Sequence, residues 1–289
     1  MAQARIAVIG GSGLYQIDGL EKVQELKLNT PFGEPSDTIV VGELGGIPVA
    51  FLPRHGRGHR HNPARVPARA NIFALKTLGV DSIIAVNSCG SFREELAPGH
   101  LVIPDQIVDC TRHRQSTFFN DDVVAHVPFD EPVCAALSDV LFRCARDAGA
   151  KVHKGGTYIA MEGPAFSTRA ESRLYKSWGA DIIGMTMLPE AKLAREAEIC
   201  YASIACVTDY DSWKEKGASE AVSGELIVET MRRNIAMAHE IIRRAVPLVP
   251  EVRKCECAHA LRAAVFTGHE HISAKTKKDL APLIGKYVK

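Results

Sequence analysis

Small polar and basic side chains cluster directly after the apolar, β-rich runs of this chain. The five clusters lie at residues 10–13, 54–56, 87–91, 186 and 208–211. Their glycine-rich turns expose backbone N–H groups, their hydroxyls add donors, and Arg54 offers a planar fork of donors to an oxyanion. These groups suit a phosphate, whereas the carboxylates of Asp209 and Asp211 suit a nitrogen-containing part of the ligand.

Each cluster also has a simpler interpretation. The glycine loop at 10–13 would form a tight turn without any ligand. It is not a dinucleotide fingerprint, because the third glycine of that motif would fall on Gln16. Arg54 and its neighbouring histidines could form a solvated basic loop or a metal site, although no carboxylate lies near them in sequence. Asp209 and Asp211 could belong to a surface turn, but the apolar strand before them indicates burial.

An α/β domain must position these clusters, because apolar β-rich runs alternate with helical stretches along the chain. Strands are predicted at 5–9, 38–41, 48–52, 82–86, 100–108, 156–161, 181–185 and 200–208. Helices are predicted at 67–78, 132–148, 188–199 and 224–245, where apolar residues recur at helical spacing. Ligands bind at the carboxyl ends of strands in open α/β sheets, so we expect the five clusters to converge on one site.

The composition excludes several classes of function. The chain has 289 residues with 35 Lys and Arg against 34 Asp and Glu, so it offers no basic surface for nucleic acid or an anionic membrane. Hydrophobic residues make up 46%, which is enough for a globular core. No apolar run approaches the ~18 residues of a membrane helix, and no signal-peptide pattern opens the chain. We therefore expect a soluble, cytoplasmic protein.

The end of the chain differs in character from the rest. We predict one domain at 1–248 and a tail or short helix at 249–289, which is rich in Cys, His and Lys. The eight cysteines are scattered, and the pair Cys255 and Cys257 is too short a motif for a zinc knuckle. Ordinary thiols are expected from the size and compartment, with structural disulfides as the alternative.

Longer motifs carry the polar clusters in a fixed order. They are IGGSGL at 9–14, TPFGEPSD at 30–37, RHGR at 54–57, CGS at 89–91, EGPAFSTRAE at 162–171, GMT at 184–186, PE at 189–190 and TDYD at 208–211. On these motifs, over about residues 5–245, the chain resembles the methylthioadenosine phosphorylases of the purine nucleoside phosphorylase superfamily.

The resemblance implies an activity, a fold and a set of site residues. The reaction would be attack of phosphate on C1′ of 5′-methylthioadenosine, giving adenine and 5-methylthioribose 1-phosphate without a metal or organic cofactor. The fold would be a mixed β-sheet flanked by helices, in a single nucleoside phosphorylase-like domain that assembles as a homotrimer. The residues that correspond to phosphate contacts are Ser12, Arg54, His55, Asn87, Ser88 and Thr186, and those that correspond to nucleoside contacts are Phe166, Ser167, Met185, Asp209 and Asp211. His126 corresponds to a histidine that closes the 5′ pocket of a neighbouring subunit. Some relatives that the chain resembles have a Cys-x-Cys disulfide. The resemblance therefore leaves open whether Cys255 and Cys257, or Cys134 and Cys200, form disulfides.

The residues themselves support this chemistry. Cleavage of an N-glycosidic bond builds positive charge on the ribose, and a bound phosphate can both stabilise and attack that cation. A buried carboxyl with a raised pKa could donate a proton to the purine, which makes Asp209 the candidate acid and Asp211 its orienting partner.

Three alternatives differ in class or in substrate. A 6-oxopurine phosphorylase is the nearest, but Ser167 and Asp209 stand where such enzymes carry Glu and Asn. A non-catalytic binding protein would not need a leaving-group acid. A scaffold oligomer would not explain five polar clusters at strand ends.

Overall fold

A computed structural model describes residues 3–11, 14, 17–120, 122–214 and 224–288, with backbone alone at 224–228 and 231. Its strands are β1 (Ile6–Gly10), β2 (Leu20–Leu26), β3 (Ile39–Leu44), β4 (Ile47–Pro53), β5 (Ser82–Ser91), β6 (Leu101–Ile103), β7 (Gln106–Cys110), β8 (Val152–Lys154), β9 (Thr157–Met161), β10 (Ile182–Gly184) and β11 (Cys200–Tyr210). Its helices are α1 (Ala68–Thr77), α2 (Ala135–Asp147), α3 (Arg169–Ser177), α4 (Glu190–Glu196), α5 (Gly224–Ala245), α6 (Ala274–Asp279) and α7 (Ala281–Ile284).

The described strands form one mixed sheet, as predicted. Its main path runs β2-β3-β4-β1-β5-β10-β9-β7, while β11 pairs with β5 and β6, and β8 pairs with β6. Strands β1, β5 and β11 are parallel, whereas β10 is antiparallel to β5. A two-residue turn of Gly45 and Gly46 joins β3 to β4, and its φ angles of 59° and 78° explain why both positions are glycine.

One edge of β5 is left without a neighbouring strand in its middle. Strand β1 pairs with β5 as far as Ala85, and β10 begins to pair at Gly90. The residues between them, 86–89, therefore have no strand partner on this edge. This gap opens the sheet where the predicted polar clusters lie.

The sequence predictions differ from the structure in several elements. The single strand predicted at 100–108 is two strands, because Pro104 has no N–H for the ladder. Strand β5 extends to Ser91, so the polar cluster at 87–91 lies within a strand and not after one. Strands β2 and β8 and helix α3 lie outside the predicted elements, since each is short or mostly exposed and contains few apolar residues.

Helices cover both faces of the sheet. Apolar residues of α2 and α5 share one core with β1 and β11, and those of α1 and α4 share the other. The segment after 248 packs into the second core through Leu261, Leu283 and Ile284, while the domain boundary at 248 stays a prediction. Of the helices in the described ranges, none combines the length and the apolar composition that crossing a bilayer requires.

Candidate active site

A cavity of about 690 Å³ opens at the gap beside β5. Eight of the predicted site residues line it: Arg54, His55, Ser88, Phe166, Met185, Thr186, Asp209 and Asp211. Asn87, Ser167 and His126 do not line it, and Ser12 lies outside the described residues. Residues of β5 and β11, together with residues directly after β4 and β10, therefore line one cavity, although Ser88 lies within β5 and not after it.

Arg54 follows β4 and fills the gap in the sheet. Its Nη1 donates to the carbonyl of Val86 at 2.9 Å. Val86 lies beyond the last residue of β5 that pairs with β1. The Nε and Nη2 of Arg54 donate to the carboxylate of Glu190 at 2.5 and 3.0 Å, and Nη2 also approaches the Ile9 carbonyl at 3.4 Å. Both residues are only 2% exposed. The bidentate contact of Arg54 is therefore made with Glu190, and one N–H of Nη1 is left for a phosphate oxygen.

His55 is held as a neutral imidazole. Burial, and after it the charge of Arg54, lower the pKa of His55 to about 4. Its Nδ1 lies 2.8 Å from the His61 carbonyl, an acceptor, so Nδ1 carries the proton and donates it there. The remaining nitrogen, Nε2, is then an acceptor. It can receive a hydrogen bond from a protonated phosphate oxygen or from a ribose hydroxyl.

Thr186 and Asn87 form a linked pair at the cavity. The Asn87 amide donates to the Thr186 hydroxyl at 2.5 Å, and the Ser203 hydroxyl donates to the Asn87 carbonyl oxygen at 2.7 Å. Thr186 lines the cavity, whereas Asn87 is 2% exposed behind it. Asn87 therefore orients the threonine hydroxyl. Its predicted direct contact with phosphate has no counterpart in the lining of the cavity.

A β-bulge in β11 directs the two aspartates. The register with β5 shifts between Val207, opposite Cys89, and Asp209, opposite Gly90. Thr208 is the extra residue, and an inserted residue reverses which side chains face a given side. Accordingly Cys206 lines the cavity before the bulge, Thr208 lines it at the bulge, and Asp209 and Asp211 line it after the bulge.

Ser167 holds the second aspartate in place. Its hydroxyl lies 2.7 and 2.6 Å from the two carboxylate oxygens of Asp211 and donates to them. Asp211 is buried, and its N–H donates to the Ser91 carbonyl at 3.0 Å. Asp209 is half-buried and accepts from the Thr208 hydroxyl at 2.8 Å. The carboxylate of Asp209 is thus the one presented more openly to the cavity.

Arg114 joins two segments of the chain that contribute to the cavity lining. Its guanidinium donates to the carbonyls of Met161 at 2.9 Å, Glu162 at 2.5 Å and Leu188 at 2.6 Å, and also to that of Met185. These carbonyls belong to the two loops that carry Phe166 and Met185 into the cavity. Met185 also requires Gly163, because a Cβ at that position would lie 2.4 Å from the methionine sulfur.

Comparisons with known proteins agree with this geometry. The profile of the phosphorylase superfamily matches residues 5–247. An S-methyl-5′-thioadenosine phosphorylase of Geobacter sulfurreducens is 56% identical over 98% of this chain and 99% of its own, and one of Hyperthermus butylicus is 50% identical over 91% and 96%. A crystal structure of a methylthioadenosine phosphorylase from an antarctic soil metagenomic library matches with a TM-score of 0.94 and 49% identity, over 98% of this chain and 99% of that one.

The chain belongs to the phosphorylase superfamily and to its S-methyl-5′-thioadenosine phosphorylase family. A Schistosoma mansoni adenosine/methylthioadenosine phosphorylase mutant, solved in complex with methylthioadenosine, shares 37% identity and a TM-score of 0.82 over 90% of this chain and 96% of its own. The sheet, the gap beside β5 and the bulge in β11 are thus the framework of a phosphorylase.

Three residues at the cavity or behind its lining were not predicted as site residues. Glu190 was noted only within the PE motif, and Arg114 carried no sequence signal because it lies in an irregular segment. Both act through buried contacts between segments far apart in the chain. A third, Arg60, lines the cavity while contacting Asp37 at 3.3 Å.

His126 lies apart from the cavity of its own chain. Its N–H donates to the Ala264 carbonyl at 2.9 Å, and its ring packs edge-on against Phe266 at 5.0 Å. The side chain is exposed. Its predicted role toward a neighbouring subunit stays a prediction.

Proposed function

We propose that the protein catalyses the phosphorolysis of 5′-methylthioadenosine to adenine and 5-methylthioribose 1-phosphate. It is a pentosyltransferase of the purine nucleoside phosphorylase type, and it serves purine and methionine salvage. One observation carries this proposal. The lining of a single cavity combines donors for an oxyanion, from Arg54, Ser88 and Thr186, with two carboxylates, from Asp209 and Asp211.

The phosphate end supplies the nucleophile. Hydroxyls of Ser88 and Thr186 and the free N–H of Arg54 hold phosphate, while the predicted contact of Ser12 lies outside the described residues. His55 accepts from a protonated oxygen of the phosphate, or from the ribose. A phosphate oxygen forms a bond to C1′ while the bond from C1′ to the purine nitrogen breaks. The positive charge that develops on the ribose is stabilised by the adjacent phosphate anion.

The purine end receives the electron pair of the broken bond. Asp209 donates a hydrogen bond to the departing adenine when protonated, and as a carboxylate it accepts from the exocyclic amine. Asp211, fixed by the Ser167 hydroxyl, orients the base. Met185 packs along the ribose and Phe166 along the purine. Inorganic phosphate is the co-substrate, and the balanced reaction uses no metal, oxidant or organic cofactor.

One assay tests the function directly. Purified protein is mixed with 5′-methylthioadenosine, with and without phosphate, and free adenine is measured. Adenine release that requires phosphate is expected. Release without phosphate would indicate hydrolysis, and no release would refute the activity. Faster cleavage of methylthioinosine would place the protein with the 6-oxopurine enzymes.

The assembly belongs to the same proposal. A homotrimer would bring His126 of one subunit over the 5′ end of the cavity of the next. The exposed position of His126, away from its own cavity, supports this arrangement. The cytoplasmic location expected from the sequence also stays a prediction.

A further inference from the structure

Four cysteines from distant parts of the chain meet at one point. Cys134 precedes α2, Cys200 begins β11, and Cys255 and Cys257 lie in the C-terminal segment. Their sulfur atoms all lie within 4.8 Å of one another. Cys134, Cys200 and Cys257 are buried, and Cys255 is half-buried. None of the four lines the cavity described above.

The spacing of the sulfurs fits a metal. Four thiolates about 2.3 Å from a tetrahedral Zn²⁺ stand about 3.8 Å apart. The Sγ atoms of Cys200 and Cys255 are 3.3 Å apart, well beyond the ~2.05 Å of a disulfide bond. Disulfides would require only that the sulfurs approach in pairs. Mutual proximity of all four is what a tetrahedral ion needs.

The surrounding backbone fixes the segments that supply these sulfurs. The Cys134 N–H donates to the Tyr201 carbonyl at 2.8 Å, which joins the start of α2 to β11. Arg253 donates to the Glu198 carbonyl at 2.6 Å and thereby fixes the C-terminal segment just before Cys255. Cys134 occupies the N-cap of α2, where the positive end of the helix dipole stabilises a thiolate. The site is thus closed, with four ligands and no open position, as in structural zinc sites.

We propose that Cys134, Cys200, Cys255 and Cys257 bind one Zn²⁺ as a tetrathiolate that fastens the C-terminal segment to the catalytic fold. Each thiol releases its proton to solvent as its sulfur binds the metal. The two nearest ligands in sequence, Cys255 and Cys257, come from the segment that also contributes Leu261, Leu283 and Ile284 to the core. The ion would therefore keep that segment packed against the core. Its role is structural and separate from the phosphorolysis reaction.

Metal analysis tests the proposal. The full chain is purified with a reductant and zinc but without chelators, and its metal content is measured by mass spectrometry. We expect about one zinc per chain, released by a mercurial reagent that blocks thiols. Reconstitution of the stripped protein with Co²⁺ should give the strong charge-transfer and visible bands of a tetrahedral thiolate site.

Variants locate the ion. C255S/C257S should lose the zinc and the cobalt bands, whereas C144S should keep both, because Cys144 is a buried cysteine of α2 outside the cluster. Stripped wild-type protein should also be cleaved by protease within the C-terminal segment faster than the zinc form. Protein with no metal and four free thiols, or with two disulfides shown by intact mass under non-reducing conditions, would overturn the proposal. So would zinc retained by C255S/C257S.

Discussion

The charge of Arg54 is neutralised within the protein before any phosphate binds. Glu190 takes two of its donors, and the carbonyls of Val86 and Ile9 take two more. The arginine thus serves the site in two ways, by completing the sheet at the gap and by offering one remaining N–H. A sequence can indicate an oxyanion ligand at this position, but it cannot show that a carboxylate 136 residues away shares it.

Replacement of Arg54 is expected to affect both stability and phosphate binding. Arg54→Ala leaves Glu190 buried without its partner, which costs about 3–5 kcal/mol of unfolding free energy. It should also raise the KM for phosphate by at least about 10-fold, through loss of one charge-assisted hydrogen bond. Chemical denaturation and steady-state kinetics at varied phosphate measure the two effects separately.

Glu190→Gln is the matched control. It keeps a group of similar shape and destabilises the protein by breaking the same ion pair, while it leaves the guanidinium beside the cavity. Its phosphate KM should change less than that of Arg54→Ala. Equal changes in both variants would show that the effect on phosphate is only a consequence of instability.

His55 makes stability depend on pH. The pKa of His55 is about 4 in the folded protein and near 6.5 in an unfolded chain. Between these values the unfolded state binds more protons, so stability is greatest above pH 6.5 and falls as the pH drops toward 4. His55→Asn, which can keep a donor for the His61 carbonyl, removes this dependence.

The quantity to measure is how the free energy of unfolding changes with pH in the wild type and in His55→Asn. Burial also raises the pKa of Glu196 to about 7, which acts in the opposite sense on stability, but that term is common to both proteins. Denaturation curves at several pH values should show the wild type losing more stability than the variant below pH 6.5. Parallel curves would contradict a neutral, buried His55.

Asp209 is expected to set both the rate and the base preference. Asp209→Asn removes the proton donor and should lower kcat for methylthioadenosine by about 100-fold or more. The amide offers a donor to O6 of a 6-oxopurine, so the ratio of activities on methylthioinosine and methylthioadenosine should rise, further with Ser167→Glu. Thr208→Val, which removes a hydroxyl beside the same carboxylate, is the control and should change the ratio little. An unchanged ratio in Asp209→Asn would refute this assignment.

At the scale of the element, two irregularities in β5 and β11 create the site. The gap at 86–89 makes room for the Arg54 side chain beside the cavity, and the bulge at Thr208 turns the aspartates toward the same cavity. Gly90 lies where the two strands come closest to these side chains. A Cβ there would be 3.3 Å from Asp211 Cβ and from Ile183 Cγ2, and 3.5 Å from Asp209 Oδ2.

Gly90→Ala should therefore reduce activity more than stability. The added methyl displaces Asp211 by tenths of an ångström and comes into van der Waals contact with Asp209, and overpacking costs about 1–3 kcal/mol. We expect kcat to fall by at least about 10-fold, since small misplacements of catalytic groups are costly. Ile84→Val on the same strand, which costs a comparable ~0.5–1.5 kcal/mol, should leave kcat nearly unchanged. Similar kcat values for both variants would argue against the role of this contact.

The elements that were predicted correctly are those that periodicity and burial specify. Strands β1, β4, β5 and β11 are apolar and buried, so their positions follow from the sequence. Helix α3 has one buried residue, and its only signal was the capping box between Thr168 and Glu171. The bulge in β11 has no sequence signal, because it arises from pairing with β5.

At the scale of the whole molecule, the contacts that the sequence could not show are long-range. The tail predicted after 248 is packed into the core by Leu261 and Ile284. Cys255 and Cys257 alone were too short a motif for zinc, since the other two sulfurs come from positions 134 and 200. The spacing of cysteines along the chain can predict a metal site whose ligands are close in sequence. It cannot predict a site whose ligands come together only in the folded protein.

The predicted trimer is also a property of the whole molecule. Assemblies that mix two variants of the chain can test it. His126→Ala keeps its own cavity intact but cannot cap a neighbour, so its activity on methylthioadenosine should fall by about 10-fold. Asp209→Asn has an inactive cavity but an intact His126. Co-expression with two different tags gives mixed assemblies, in which Asp209→Asn subunits can cap His126→Ala cavities.

If His126 acts between subunits, mixed assemblies should be more active than either variant alone. Random mixing in equal amounts predicts about a quarter of wild-type activity per subunit, because half of the cavities are intact and half of those face an intact histidine. If the histidine acts only within its own chain, the mixture can only average the two low activities. Size-exclusion chromatography with light scattering, run on each variant alone, shows whether the assembly itself has changed. A mixture that stays at the average, with trimers intact, would mean that the 5′ end of each cavity is closed without its neighbour.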